Sequence, residues 1–194
     1  HDFARRGRRI RFLLLGSASP SLLQQSSESL AGRITYFELS GFSLSDVGPR
    51  WERLWVRGGY PRAYLARTDD ESLRWRRDLI RTFVERDLPQ LGIGIGAGVI
   101  RRFWTMLAHY HAQVWNGAEL ARAFGIAEST VKRYLDLLAN TFMMRVLPPW
   151  SENIGKRVVK TPKVYIADTG LLHALLDVPS ARALDTHPKV GASF

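Results

Sequence analysis

The sequence predicts a mixed α/β chain that is mostly helical, and three observations carry that prediction. Residues 10–15 form a short apolar run that ends in Gly16-Ser17-Ala18-Ser19, the pattern of a buried strand delivering small polar residues at its carboxyl end. Between Trp75 and Leu88 apolar side chains stand four apart, the spacing of one face of a helix. From Asn116 onward a capping box opens a pair of helices separated by a glycine. With 194 residues and 45% hydrophobic content, the chain can fill one substantial core or two small ones, and its composition is globular.

The first segment continues from the apolar run into a short helix expected over Ser21–Leu30, then Arg33 and a second strand over Ile34–Leu39. One strand, one helix and one strand do not make a doubly wound sheet, so the remainder of such a sheet is expected from elsewhere. The chain starts at His1 without a methionine and stops at Gly191-Ala192-Ser193-Phe194, and it reads as an internal fragment of a longer protein. A basic run leading into Phe12-Leu13-Leu14-Leu15 imitates a secretory signal, but the apolar stretch is too short for one. No segment approaches the roughly 20 apolar residues of a membrane span. The absence of cysteine excludes a disulfide framework, a zinc ribbon and a cysteine nucleophile, which fits a reducing, cytoplasmic setting.

The second segment, Pro49 to Leu91, reads as helical. Trp75, Leu79 and Phe83 form one apolar row and Ile80, Val84 and Leu88 another, flanked by Arg74, Arg77, Asp78, Arg81 and Glu85, and Pro89 is expected to stop it. The following Gly92-Ile93-Gly94-Ile95-Gly96-Ala97-Gly98 comes after a helix rather than a strand and lacks Lys-Ser or Lys-Thr. It therefore fits a flexible linker better than a phosphate-binding loop.

In the third segment Asn116-Gly117-Ala118-Glu119 starts a helix that breaks at Gly125. A second helix begins near Ser129-Thr130, with Val131, Tyr134, Leu135 and Leu138 on one face and Lys132, Arg133 and Asp136 on the other. Ala121 lets the helices approach, and Leu120, Phe124, Ile126, Val131 and Tyr134 fill the core between them; only the cap at Ala127 is weak. Strands are expected over Phe142–Leu147 and Arg157–Lys160 around a Pro148-Pro149 turn. A helix-turn-helix followed by a strand pair is a winged helix. The last segment opens with a strand, Lys163–Ala167, turns at Asp168-Thr169-Gly170 and enters a helix over Leu171–Leu176, as another α/β unit would.

Net charge is +10, and the bias is uneven: of 28 basic residues 23 are arginine, yet four of the five lysines fall between Lys132 and Lys163. That placement favours a polyanionic partner at the third segment, with Ser129, Thr130, Lys132 and Arg133 facing a major groove and Lys156, Arg157 and Lys160 touching phosphates. His109 and His111 are two apart, point in different directions from a helix, and fit core or interface positions rather than a metal site. No G-x-S-x-G elbow supports serine hydrolase chemistry.

The stretches LLLGSAS, SLAGRITYFELSGFSLSDV, LWVRGGYPRAYLA, FVERDLPQLGI, RRFWTMLAHYHAQVWNGAELARAFGI, VKRYLDLLANTFMMRVLPPW, NIGKRVVKTPKVYIADTGLLHALL and HPKVGASF run in order over nearly the whole chain. Together they resemble prokaryotic P-loop ATPases of the AAA superfamily that carry a winged helix and a C-terminal domain of unknown function similar to restriction endonucleases. The resemblance implies that residues 1–48 are the end of the ATPase core, 49–98 a helical lid and linker, 99–161 the winged helix, and 162–194 the opening of the nuclease-like domain. It further implies that Ser17 and Ser19 are polar sensors for the attacking water and that Arg33 is an arginine finger.

ATP and Mg²⁺ would then be cofactors of the full-length parent, which would assemble as a homo-oligomer through its core. The fragment itself contains neither G-x-x-x-x-G-K-[ST] nor the magnesium-holding acidic strand, so it is expected to hold no cofactor or metal and to be inactive alone. Asp168 stands at the start of the nuclease-like region without the further carboxylates that such a metal site needs. Two other readings remain: a DNA-binding regulator acting on double-stranded DNA, and an interaction module presenting Trp51, Trp55 and Trp104 at its surface.

Overall fold

The structure is a computed structural model that describes residues 37–149 and 161–194, together with Gly16 and Thr35. The expected helix over Ser21–Leu30, residues Ile34 and Tyr36 of the expected Ile34–Leu39 strand, and the Arg157–Lys160 strand lie outside the described residues. Phe37, Glu38 and Leu39 are described; they belong to no strand, and all three are exposed.

Among the described residues the chain is mostly helical with one small sheet. Helix α1 (Leu44–Val47) opens on Ser43, whose backbone N–H and hydroxyl both donate to Asp46 Oδ2, and a 3₁₀ turn over Gly48–Arg50 leads into α2 (Trp51–Arg57). The stretch Pro49 to Leu91 is helical as expected, in several pieces. Gly58, at φ +79°, ends α2, and the short α3 (Pro61–Tyr64) starts on Pro61, whose fixed φ suits a first helical turn. Helix α4 (Asp69–Thr82) starts afresh at Thr68, whose Oγ1 accepts the Glu71 N–H at 3.1 Å; Asp69, Asp70 and Glu71 sit where the helix dipole favours negative charge. A π turn over Phe83–Asp87 carries α4 into α5 (Leu88–Gln90), so Pro89 lies within the final turn and the helix ends just beyond it.

Helix α6 (Ala97–His109) absorbs the last two residues of the glycine-rich linker. It is followed by α7 (Gly117–Phe124), α8 (Glu128–Asn140), strand β1 (Met144–Leu147) and strand β2 (Lys163–Ile166). The strands pair antiparallel with Met144 opposite Ile166 and Leu147 opposite Lys163, and Val114 bridges the other side of Lys163. The sequence pattern gives Lys163–Ile166 to a separate α/β unit, whereas the structure makes it the partner of β1. The reason is burial: Val164 and Ile166, 0% and 4% exposed, alternate with Lys163 and Tyr165, so this strand has a single apolar face, and Met144 packs on that side.

Helix α9 (Thr169–Leu175) follows and packs on α2, α4 and α6, with α10 (Ala181–Asp185) and α11 (Val190–Ser193) closing the described chain. One apolar core runs from Leu73 to Leu175, through α4, α6, α7, α8, both strands and α9. Phe103 meets Phe124 and Tyr134 edge-on, with ring centroids 5.6 and 5.4 Å apart. Trp104, expected at the surface, is 0% exposed inside this core; Trp51 is exposed and Trp55 half-buried. Its neighbours explain the difference, because Ile100, Phe103, Trp104 and Leu107 share one face of α6. Among the described residues no helix is long and apolar enough to cross a membrane.

Candidate functional site

The helix pair α7–α8 forms as the sequence dictates. Asn116 Oδ1 accepts the Glu119 N–H at 3.1 Å, Gly125 takes the left-handed conformation at φ +69°, and α8 starts at Ala127 with no side-chain cap. Val131, Tyr134, Leu135 and Leu138 are buried on one side of α8. On the other side Ser129, Lys132 and Arg133 are exposed, and Thr130 is half-buried. These four residues therefore share the outer face of the second helix.

Lys132 Nζ lies 2.9 Å from Asp136 Oδ2, one turn along. An exposed pair at this spacing is worth only about 0.3–0.5 kcal/mol, so it does not lock the ammonium away from a phosphate. The Arg133 guanidinium sits 6.0 Å from the Tyr134 ring centroid and that of Arg102 4.9 Å from Phe124, each resting its stem on the helix pair. Arg122, Arg145 and Lys163 are exposed on the same module. Lys156, Arg157 and Lys160 lie outside the described residues, as do Ser17, Ser19 and Arg33.

A second cluster joins parts of the chain that the sequence reading kept apart. Asp168 caps α9 by accepting the Leu171 N–H at 2.8 Å, and its other carboxylate oxygen accepts the Gly59 N–H at 2.7 Å. The carboxyl end of α2 is met from the same direction. Thr169 Oγ1 donates to the Leu54 carbonyl at 3.3 Å, and the His173 Nδ1 lies 3.2 Å from the Val56 carbonyl. Arg76, 0% exposed, donates through Nη1 to the carbonyls of Val56 at 3.1 Å and Gly170 at 2.9 Å, and through Nε to Ser72 at 3.2 Å. A cation here faces the negative end of α2. Arg57 turns away, donating to Asp69 at 2.6 Å and to the Ala66 carbonyl at 2.5 Å.

Burial governs the titration of this cluster. It lowers Arg76 to about 10, against the pull of Asp168 and Asp69, and raises Tyr60 to about 12, helped by the Asp168 charge. It also raises Asp168, because the Leu171 and Gly59 N–H groups and Arg76 offset only part of the desolvation. A magnesium ion does not fit this carboxylate: both oxygens are held by backbone donors and a guanidinium stands beside them. Among the described residues no group of three His, Asp or Glu side chains is placed to hold a metal ion. The signal for this joint was present in Arg57-Gly58-Gly59-Tyr60 and Asp168-Thr169-Gly170, but nothing local says that the two segments meet.

A mostly helical protein with a helix-turn-helix and an antiparallel strand pair in one continuous core is thus defined. The chain belongs to a family described as a domain of unknown function, DUF8612, whose match covers residues 48–182 and so includes the helical segment, both strands and α9. Uncharacterized proteins of Mycobacterium bovis and Mycobacterium tuberculosis are each 54% identical over 185 residues, covering 95% of this chain and 42% of their own length. The chain thus spans less than half of these curated relatives. No solved structure matches it.

Proposed function

We propose that the chain is the lid and winged-helix part of an AAA-type ATPase. The observation that carries this reading is the order α6, Val114 bridge, α7, α8, β1, β2, in which Val114, Lys163 and Leu147 stand side by side across the sheet. That is the connectivity of a winged helix, and it directly follows the helices α2–α5 where the resemblance puts a lid. The relatives, more than twice as long as the stretch they share with this chain, leave room for a nucleotide-binding core. In this reading Arg33 is the finger that offsets charge on the transferred phosphoryl group, Ser17 and Ser19 orient water, and the core assembles as a homo-oligomer. The test is ATP turnover by the longest reading frame containing this chain, with and without Arg33→Ala. A drop of about 10³-fold or more is expected, and unchanged turnover in an assembled oligomer would sink the finger assignment.

A second reading is favoured by the exposed Ser129, Lys132 and Arg133 on the outer face of α8: a winged helix that binds double-stranded DNA. Binding should weaken steeply with salt, and the Lys132→Ala, Arg133→Ala double variant should reduce the slope of log K against log salt by about 2. Binding that does not respond to salt would remove this reading.

A further inference from the structure

Gly59 is bonded on both sides of its Cα by distant parts of the chain. Its N–H donates to Asp168 Oδ2 at 2.7 Å, and its carbonyl accepts the Phe42 N–H at 2.7 Å. Asp168 is two residues beyond β2 and caps α9, so one carboxylate also fixes where the sheet ends and the last large helix begins. Phe42 belongs to the segment that precedes α1, and its ring stands edge-on to Tyr64 at 5.3 Å.

The fit leaves no slack. A Cβ on Gly58 would overlap the Asp168 carboxylate, and Gly58 also holds a φ of +79° that side-chain-bearing residues avoid. A Cβ on Gly59 would come within 2.5 Å of the Phe42 carbonyl, and one on Gly41 within 2.5 Å of the Gly59 carbonyl. Arg76 supports the same point from α4 through the Gly170 and Val56 carbonyls. The two peptide groups that flank the Gly59 Cα can shift together only if both partners move, because packed interiors change between discrete arrangements rather than deforming smoothly.

We propose that the Gly59 backbone is a conformational relay that couples the segment before α1 to the β2–α9 joint through Asp168. The relay stands on this geometry and does not depend on the ATPase reading. If that reading holds, it lies between the ATPase core and the winged helix, where movement in one would have to reach the other.

Coupling between two sites is reciprocal, and reciprocity separates a relay from a simple helix cap. The experiment is amide hydrogen exchange on the full chain, resolved by residue. Asp168→Asn, which keeps the volume but turns an NH₂ toward one of the two donors, should speed exchange at Phe42 by at least ~5-fold as well as at Gly59 and Leu171. Gly41→Ala, which leaves Asp168 intact, should speed exchange at Leu171 in return. The Ala63 N–H, bonded within its own turn to the Tyr60 carbonyl, is the internal control. Acceleration confined to Gly59 and Leu171 in the first variant, or to Phe42 and Gly59 in the second, overturns the relay. If Asp168→Asn does not fold, the Gly41→Ala arm decides alone.

Discussion

Trp104 stands edge-on to Phe83, with ring centroids 5.3 Å apart, and this contact locks the π turn at the end of α4 to the middle of α6. Both side chains are buried, at 0% and 4% exposure, so the helices before the glycine-rich stretch and the module after it share one interior. Trp104→Ala should therefore destabilise the whole chain by about 3–5 kcal/mol, the usual cost of emptying a large aromatic site. The indole N–H is buried without a partner. Trp104→Phe removes that orphan donor while keeping most of the ring, and should cost under ~1.5 kcal/mol. Urea midpoints of the two variants check this, and equal losses would contradict a packing role.

The cap of α7 is open to a smaller test. Asn116 accepts one of the orphan donors of the first turn, so Asn116→Ala should cost about 0.5–2 kcal/mol, whereas Asn116→Asp should be close to neutral or stabilising. Thermal midpoints measured in parallel give the comparison, and a neutral alanine variant would mean that water replaces the cap.

These cases show where the fold could be read in the sequence. The helix-turn-helix was legible because its determinants are local: Asn116 and Glu119 are three apart, Gly125 supplies the turn, and Val131, Tyr134, Leu135 and Leu138 mark one face. Trp104 was legible too, since it shares the period of Ile100, Phe103 and Leu107, and weighing tryptophan as a surface anchor hid that signal. The pairing of β1 with β2 was not legible. Register comes from burial on one face, and two short apolar runs do not declare which partner each will take. The Asp168–Gly59 bond spans 109 residues, so no spacing rule reaches it.

Gly58 provides a sharper probe of that joint than its neighbours. Any side chain there pays for a positive φ and collides with the Asp168 carboxylate, so Gly58→Ala should destabilise by more than the ~1 kcal/mol of an ordinary glycine replacement. Asp168→Ala vacates the colliding atoms but leaves two backbone donors unpaired, so the double variant should lose less than the sum of the two single losses. A double-mutant cycle on urea midpoints measures the coupling, and strict additivity would show that the two residues do not meet.

Two buried histidines set the pH dependence. His111 accepts the Ile166 N–H on Nδ1 at 3.0 Å, which requires that nitrogen to be unprotonated, and His173 lies with Nδ1 facing the Val56 carbonyl and Nε2 buried without a partner. Burial lowers each from 6.5 to about 4, more than their backbone contacts raise it. Below pH 6.5 the unfolded chain therefore takes up protons that the folded chain refuses, and stability must fall as pH drops from 6.5 toward 4 while staying flat above 7. Asp168 acts in the opposite sense: its raised value lets the folded state take up a proton before the unfolded chain does, which offsets part of the loss on acidification. Asp46 and Glu71, both lowered, favour the folded state above their ordinary values of 3.8 and 4.5, and that contribution is lost only as pH falls below those values. Urea midpoints at pH 7.5, 6.0 and 5.0 should decline in that order, and His111→Gln should make the decline shallower because glutamine can still accept the Ile166 N–H without binding a proton. A slope identical to that of the parent chain would mean that His111 takes up its proton as readily in the folded state as in the unfolded one.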